Sequence, residues 1–491
     1  MTIELQLLGS ALRAVAEEMG AVLIRSAFSA NIKERRDCST ALFADDGRMI
    51  AQAEHIPVHL GAMPEAVEAV RSREPGPGET FVVNDPFTGG THLPDVTLVS
   101  RTAVGYAVSR AHYADVGGAE PSSLPAGSTD LYQEGIVVPP VRLTDEVVTL
   151  LLANMRNPDE RRGDLRAQLA AHRLAEQRLA ELCERRGRER VAAAMEELHA
   201  YSERRVRAAI ARLPDGRYEA SDVLETAEGE LVVRAAVTIA GDEIEIDFAG
   251  TDPQHEGNLN CPIAVTRSAS YFVVRCLTDP DAPASGGAFA PVTVRAPVGS
   301  LVNARPPAAV VAGNVETSGR IVDVLFRAFG QAVPVPAQGQ GTMNNVTFGN
   351  ARFTYYETIA GGQGACPDRN GPSAVHVTMS NTLNTPVEAL ELAFPLRVER
   401  YELRLGSGGR GRFWGGDGVV REITALERCR VSIVSERRAR GPGGARGGEA
   451  GRPGRNLVDG EPVGAKVTLG LEAGQSVTIE TPGGGGFGAA S

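Results

Sequence analysis

The sequence predicts a multi-domain α+β fold with mixed β-sheets. Short apolar runs broken by Gly, Pro and Asp fill residues 37 to 150, a helical block occupies residues 158 to 212, and two strand-like runs meet at Gly241-Asp242. At 491 residues the chain exceeds what one ordinary core organises, so two to four structural units are expected.

The first element is a helix. Leu8, Leu12, Val15, Met19 and Val22 recur at alternating spacings of four and three, which places them on one helical face. The segments ALFADDGRMIAQ, ETFVVNDPF and DVTLVSRTAVGYAVSRAHYAD then read as strands joined by tight turns. In the helical block Leu165, Leu169, His172, Leu179 and Leu182 share a face, followed by Val191, Met195, Leu198, Val206 and Ile210. Leu213-Pro214-Asp215-Gly216 ends it with a turn. In LVVRAAVTIAGDEIEIDFAGT, alternating Ile244, Ile246 and Phe248 predict a hairpin. A β-rich C-terminal region carries GSGGRGRFWGGDG, GPGGARGG and TPGGGGFG, read as turns. Boundaries are placed to give an N-terminal domain at 1–213, a central α+β domain at 214–395 and a C-terminal domain at 396–491.

Composition excludes several classes. A formal net charge of −11 disfavours nucleic acid as a partner, because phosphate binding draws on concentrated positive charge. No run reaches the roughly 18 apolar residues of a membrane span, and the N-terminus lacks a signal-peptide pattern, so a cytoplasmic protein is expected. Lys33 and Lys466 are the only lysines, and no GxxxxGK[ST] loop is present, so nucleotide hydrolysis by this chain alone is not expected. Six cysteines without a CxxC pair suggest neither a zinc knuckle nor a disulfide framework, and Cys38 reads as a small buried thiol.

Chemistry concentrates in two pairs. His92-Leu93-Pro94-Asp95 and His112-Tyr113-Ala114-Asp115 each set Asp three places after His, beside glycines, with VTLVSRTAVGYAVSRA between them. A hairpin there returns the second His to the first. Two nitrogens with carboxylate oxygens suit zinc, manganese or iron. A structural His–Asp pair is the competing reading. Asp37 lies in a charged run that reads first as a surface at a strand start, and His55 and His59 are either substrate contacts or packed turn residues.

ERRDCSTALFADDGRMIAQAEHIPVHLGAMPEAV, NDPFTGGTHLPDVTLVS and AHYADVGG resemble the hydantoinase B and oxoprolinase family, which includes the metal-bearing subunits of acetone carboxylases. NMRNPDERRGDLRAQ, DFAGTDPQHEGNLN, GNVETSGRI, YYETIAGGQG, SNTLNTPVEALE and RLGSGGRGRFWGGDG extend the likeness along the whole chain. The resemblance implies a subunit of a hetero-oligomer whose hydantoinase A-type partner binds ATP, while this chain's divalent metal serves ring opening of a hydantoin, 5-oxoproline or similar lactam. It implies metal ligands at His92, Asp95 and His112, with Asp37 as a fourth. Asp115 is then a carboxylate orienting His112 or a general base. Asn84 and Asp85 would fix the ligand loop, and Asn154 and Arg156 would bind an anionic intermediate; an ion pair at the start of the helical block is the alternative for Arg156. APASGGAFAPVTV departs from the family pattern, which implies an altered substrate-side loop. The alternatives are an acetone carboxylase-type subunit joining an activated ketone to carbon dioxide, or a non-catalytic scaffold.

Overall fold

The alternation of side chains between sheet faces decides where the chemistry sits. The computed structural model of the chain describes residues 2–54 and 56–490. Its first sheet holds β1 (Cys38–Phe43), β2 (Met49–Glu54), β3 (Thr80–Val83), β4 (Asp95–Arg101), β5 (Tyr106–His112) and β6 (Val141–Arg142). They lie in the order β2-β1-β5-β4-β3-β6, all neighbours antiparallel. β1 and β5 are buried throughout, so both faces of the sheet centre are covered.

Successive side chains take opposite faces. Thr40 and Ser109 turn toward the helices: the Thr40 hydroxyl donates to the Ala16 carbonyl (2.7 Å), and Ser109 meets His172 Nε2 at 2.8 Å. Asp95 and His112 are paired across β4 and β5, and turn to the other face with the side chains of Ser39 and Val108.

The helix Ile3–Ser26 begins where the Thr2 hydroxyl accepts from the Leu5 amide at 3.2 Å. Leu8, Leu12, Val15 and Met19 are buried as expected, while Val22 is half-buried. The helical block is two helices, Pro158–Arg186 and Arg188–Ile210. Gly187, at φ +83°, ends the first and admits the second, a conformation that costs glycine little.

The second sheet runs β7 (Gly216–Glu225), β8 (Glu230–Ala240), β9 (Glu243–Asp247) and β10 (Val292–Arg295), with β10 parallel to β9. The predicted hairpin is β8 and β9, closing at Ala240 opposite Glu243. Helices Ile263–Leu277 and Ser318–Phe329 pack together, and the latter lies on this sheet. One apolar core joins Val206 and Ile210 to Val233, Ile246, Val273 and Val434, so packing is continuous across residue 213.

Two further sheets are built from strands between Asn345 and Glu480. Beside them the glycine-rich stretches do more than turn. They run as neighbouring extended segments joined through their backbones: Gly409 N donates to Gly484 O (2.8 Å), Gly484 N to Gly416 O (2.9 Å), Gly416 N to Gln363 O (2.9 Å) and Gly486 N to Glu449 O (2.9 Å). A Cβ on Gly415 would stand 2.0 Å from Gly484 O, and one on Gly484 2.0 Å from Gln363 O. Turns occur at Gly406 and Gly447, but most of these glycines are there for close approach of backbone to backbone.

Among the described residues, no helix is long and apolar enough to cross a membrane. The six cysteines are unpaired thiols, and Cys38 is buried.

Candidate metal centre

The β4–β5 hairpin brings its two ligand candidates together by register. His112 Nδ1 lies 3.1 Å from Asp95 Oδ1, His92 Nε2 is 3.1 Å from the same oxygen, and the two ring nitrogens are 3.2 Å apart. All three residues are buried. A neutral imidazole carries one N–H and one lone-pair nitrogen, and the carboxylate oxygen presents lone pairs, so ring protons or a cation stand among the three atoms. The spacing fits atoms sharing one ion at bonds of about 2.0–2.2 Å, and the donor set suits zinc, manganese or iron.

The loop before β4 is braced from several directions. Asn84 Nδ2 donates to the carbonyls of Leu93 (2.8 Å) and Ile136 (3.0 Å), and Asn84 Oδ1 accepts from Val138 N (2.7 Å). Asp85 accepts from Phe87 N at 2.9 Å. The buried Arg110 guanidinium donates to Thr97 Oγ1 (2.8 Å) and to the Gly89 carbonyl (2.7 Å). Gly90 is required because a Cβ there would meet Asn84 O at 2.4 Å.

Electrostatics follow from burial among opposite charges. Burial alone would push Asp95 up, but the rings of His92 and His59, with hydrogen bonds from His112 and His59, hold it well below the usual carboxylate range. Burial opposes charge on His92, yet Asp95 and, further off, Asp37 outweigh it and raise its pKa. The Thr91 hydroxyl donates to Asp95 Oδ2.

Asp37 lines the same cleft, outside the three-residue cluster, and its carbonyl accepts from His112 N at 3.0 Å. His59 also lines it, with Nε2 3.3 Å from Asp95 Oδ2 and Nδ1 3.0 Å from Ser39 Oγ. His55 lies outside the described residues. Asp115, Asn154 and Arg156 are not brought to the cleft. Asp115 accepts from the amides of Gly117 (2.9 Å), Ser122 (2.9 Å) and Arg156 (3.0 Å), and from Arg156 Nη1 at 3.0 Å. Asn154 caps the helix Asp145–Ala153 and donates to Leu150 O (2.8 Å). The APASGGAFAPVTV segment borders a separate groove beside the first helix.

Two cleft residues, Asn314 and Tyr356, and Arg35 beside them escape sequence reasoning. Asn314 Nδ2 donates to His92 Nε2 at 3.3 Å. Tyr356 stacks on the His112 ring, centroids 4.7 Å apart, and the Arg35 guanidinium lies over the Tyr356 ring at 5.1 Å. Their only signal in the sequence is membership of GNVETSGRI, YYETIAGGQG and ERRDCST, stretches that resemble the family without pointing to a role. The cleft is tight, with free space of about 20 Å³, roughly the room of one water.

A family model described as Hydantoinase B/oxoprolinase matches residues 1–490. The uncharacterized protein MJ0963 of Methanocaldococcus jannaschii is 38% identical, across 99% of this chain and 90% of its own length. A Pseudomonas protein described as a D-/L-hydantoinase component of the B type is 30% identical, with 99% and 90% covered. 5-oxoprolinase 1 of Arabidopsis thaliana is 38% identical over 99% of this chain, which spans 42% of the plant protein. The ATP-dependent caprolactamase of Pseudomonas jessenii superposes with TM-score 0.92 at 28% identity, covering 99% of this chain and 91% of that one. Acetone carboxylase shares the fold, with TM-score 0.88 at 17% identity over 99% of this chain and 75% of its own.

Proposed function

The chain belongs to the hydantoinase B/oxoprolinase family, and from that premise we propose that it is the metal-dependent subunit of an ATP-dependent cyclic-amide hydrolase. It opens a hydantoin, 5-oxoproline or related lactam ring together with an ATP-binding partner of the hydantoinase A type. The observation that carries the reading is the buried convergence of His92, Asp95 and His112. The assignment of ATP to the partner is supported by the missing phosphate loop in this chain.

A divalent zinc, manganese or iron ion bound by His92, Asp95 and His112, with Asp37 completing the set, would supply Lewis-acid polarisation of the amide carbonyl. The chain's own groups do the rest. His59, held by Ser39, contacts substrate beside the ligands. Val58, Val315, Met343 and Met379 line the cleft and exclude bulk water. Tyr356 fixes the plane of the His112 ring. Asp115 acts at a distance from the chemistry: with Arg156 it holds the turn that follows His112.

Co-expression with the neighbouring A-type subunit, metal analysis and a screen of lactams and ketones for stimulated ATP hydrolysis test this. Stoichiometric metal and lactam-stimulated ATP hydrolysis are expected, and His92→Ala should abolish both. Purified complex without metal would sink the proposal. Stimulation by a ketone with carbon dioxide fixed would replace it with the carboxylase reading. Lactam turnover by this chain alone, without ATP, would remove the partner.

A further inference from the structure

The cleft wall also includes Thr358, Ser380 and Thr382, none of which the proposed lactam chemistry uses. Four side chains form one continuous hydrogen-bonded chain. Ser380 Oγ lies 2.6 Å from His376 Nδ1, His376 Nε2 lies 3.4 Å from Thr382 Oγ1, and Thr382 Oγ1 lies 2.6 Å from Thr358 Oγ1. Arg35 Nη2 donates to both threonines, at 3.1 Å for Thr382. A guanidinium only donates, so neither threonine can direct its proton at Arg35.

Proton counting then fixes the two ends. Burial, with Arg35 adding to it and Glu357 opposing, pushes the His376 pKa down to about 4. The ring is neutral at physiological pH, with one donor and one acceptor nitrogen. If Ser380 donates to Nδ1, then Nε2 donates to Thr382, Thr382 donates to Thr358, and the Thr358 proton is left free for the cleft. If the chain runs the other way, the Ser380 proton is the free one. Under either tautomer one end offers a donor and the other end only an acceptor.

The backbone builds this arrangement at a cost. Ser380 N donates to Val377 O at 3.1 Å, closing a turn in which Thr378 takes φ +53°. A β-branched residue there is strained. The turn returns Ser380 to His376.

We propose that Ser380 and Thr358, the two ends of this chain, read the scissile amide itself, one accepting its N–H and the other donating to its C=O. The site thereby selects secondary amides over N-substituted ones. This rests on the amide-hydrolase reading of the same cleft. His376 is the positioning residue that couples the two ends.

The test uses the co-expressed two-subunit complex with hydantoin and 5-oxoproline, each against its derivative N-methylated at the scissile amide. In the wild type the parent compounds are preferred. Of Ser380→Ala and Thr358→Val, one should shrink the parent-to-N-methyl ratio of kcat/KM by about tenfold, and the other should lower both substrates alike. Bound metal and Tm should stay at wild-type levels. Ser380→Cys, which keeps the side-chain shape and weakens acceptance, replaces Ser380→Ala if the latter fails to fold. An unchanged ratio in both variants overturns this inference alone. Wild-type turnover of neither parent lactam overturns the amide reading and this inference with it.

Discussion

Asn314 reaches His92 from 222 residues away in sequence, and the residue that allows it is its neighbour. A Cβ on Gly313 would stand 1.8 Å from the Asn260 carbonyl, so no side chain fits without moving backbone. Gly313→Ala should therefore destabilise the protein by about 3 kcal/mol. Urea unfolding checks this; a variant with native stability would refute the packing argument. Asp95 and His112 were legible in the sequence because a strand pair of known period returns one to the other. Asn314, Tyr356 and Arg35 were not, because nothing local in their segments says which distant strand they meet. The thiol of Cys38 illustrates the opposite case: its small apolar surroundings matched the sequence reading.

The hairpin of β4 and β5 is held from behind by the helix Pro158–Arg186 through His172 and through Gln168, whose Nε2 donates to Val96 O (3.2 Å) and Ser109 Oγ (3.1 Å). His172 is buried between Ser100 Oγ (2.6 Å) and Ser109 Oγ (2.8 Å). Burial pushes its pKa from 6.5 down to about 3. The unfolded chain takes up a proton at this residue below about pH 6.5, whereas the folded chain does not until about pH 3. Stability contributed by the neutral ring is thus full above pH 6.5 and lost as the pH falls through that window, by at most about 1.4 kcal/mol per unit. His172→Gln, which can still bridge both serines, should flatten the acid limb of stability against pH. Parallel curves for the two proteins would refute the assignment. The helix itself was readable from its periodicity, including the face that carries His172. Its partition at Gly187 was not, since apolar spacing continues across the break.

At the scale of the whole molecule, the interior is less divided than composition implies. Residues on both sides of 213 share one core, because the helix ending at Ile210 packs on strands that follow it; a turn signal marks where the chain reverses and says nothing of what it then touches. The glycine-rich stretches are the other departure. Their amides are engaged by neighbouring backbones, so hydrogen–deuterium exchange should find the segments around 409–416 and 483–486 protected to the level of the sheets. Exchange at the rate of an open loop would disprove the bundle. Gly484→Ala, with its Cβ driven against Gln363 O, should lower Tm and expose these same amides together.

That bundle also constrains how the protein can change over generations. Every single-base change that alters a glycine codon yields a stop or a residue carrying a Cβ, and at Gly415, Gly416 and Gly484 the nearest atom such a carbon would meet is a backbone carbonyl oxygen 2.0, 1.9 and 2.0 Å away. No neighbouring side chain can shrink to make room, because the obstruction is main chain. A compensating second mutation is therefore unavailable within the bundle itself. These positions have no stepping stone to any other amino acid, and variation is left to the surfaces around them.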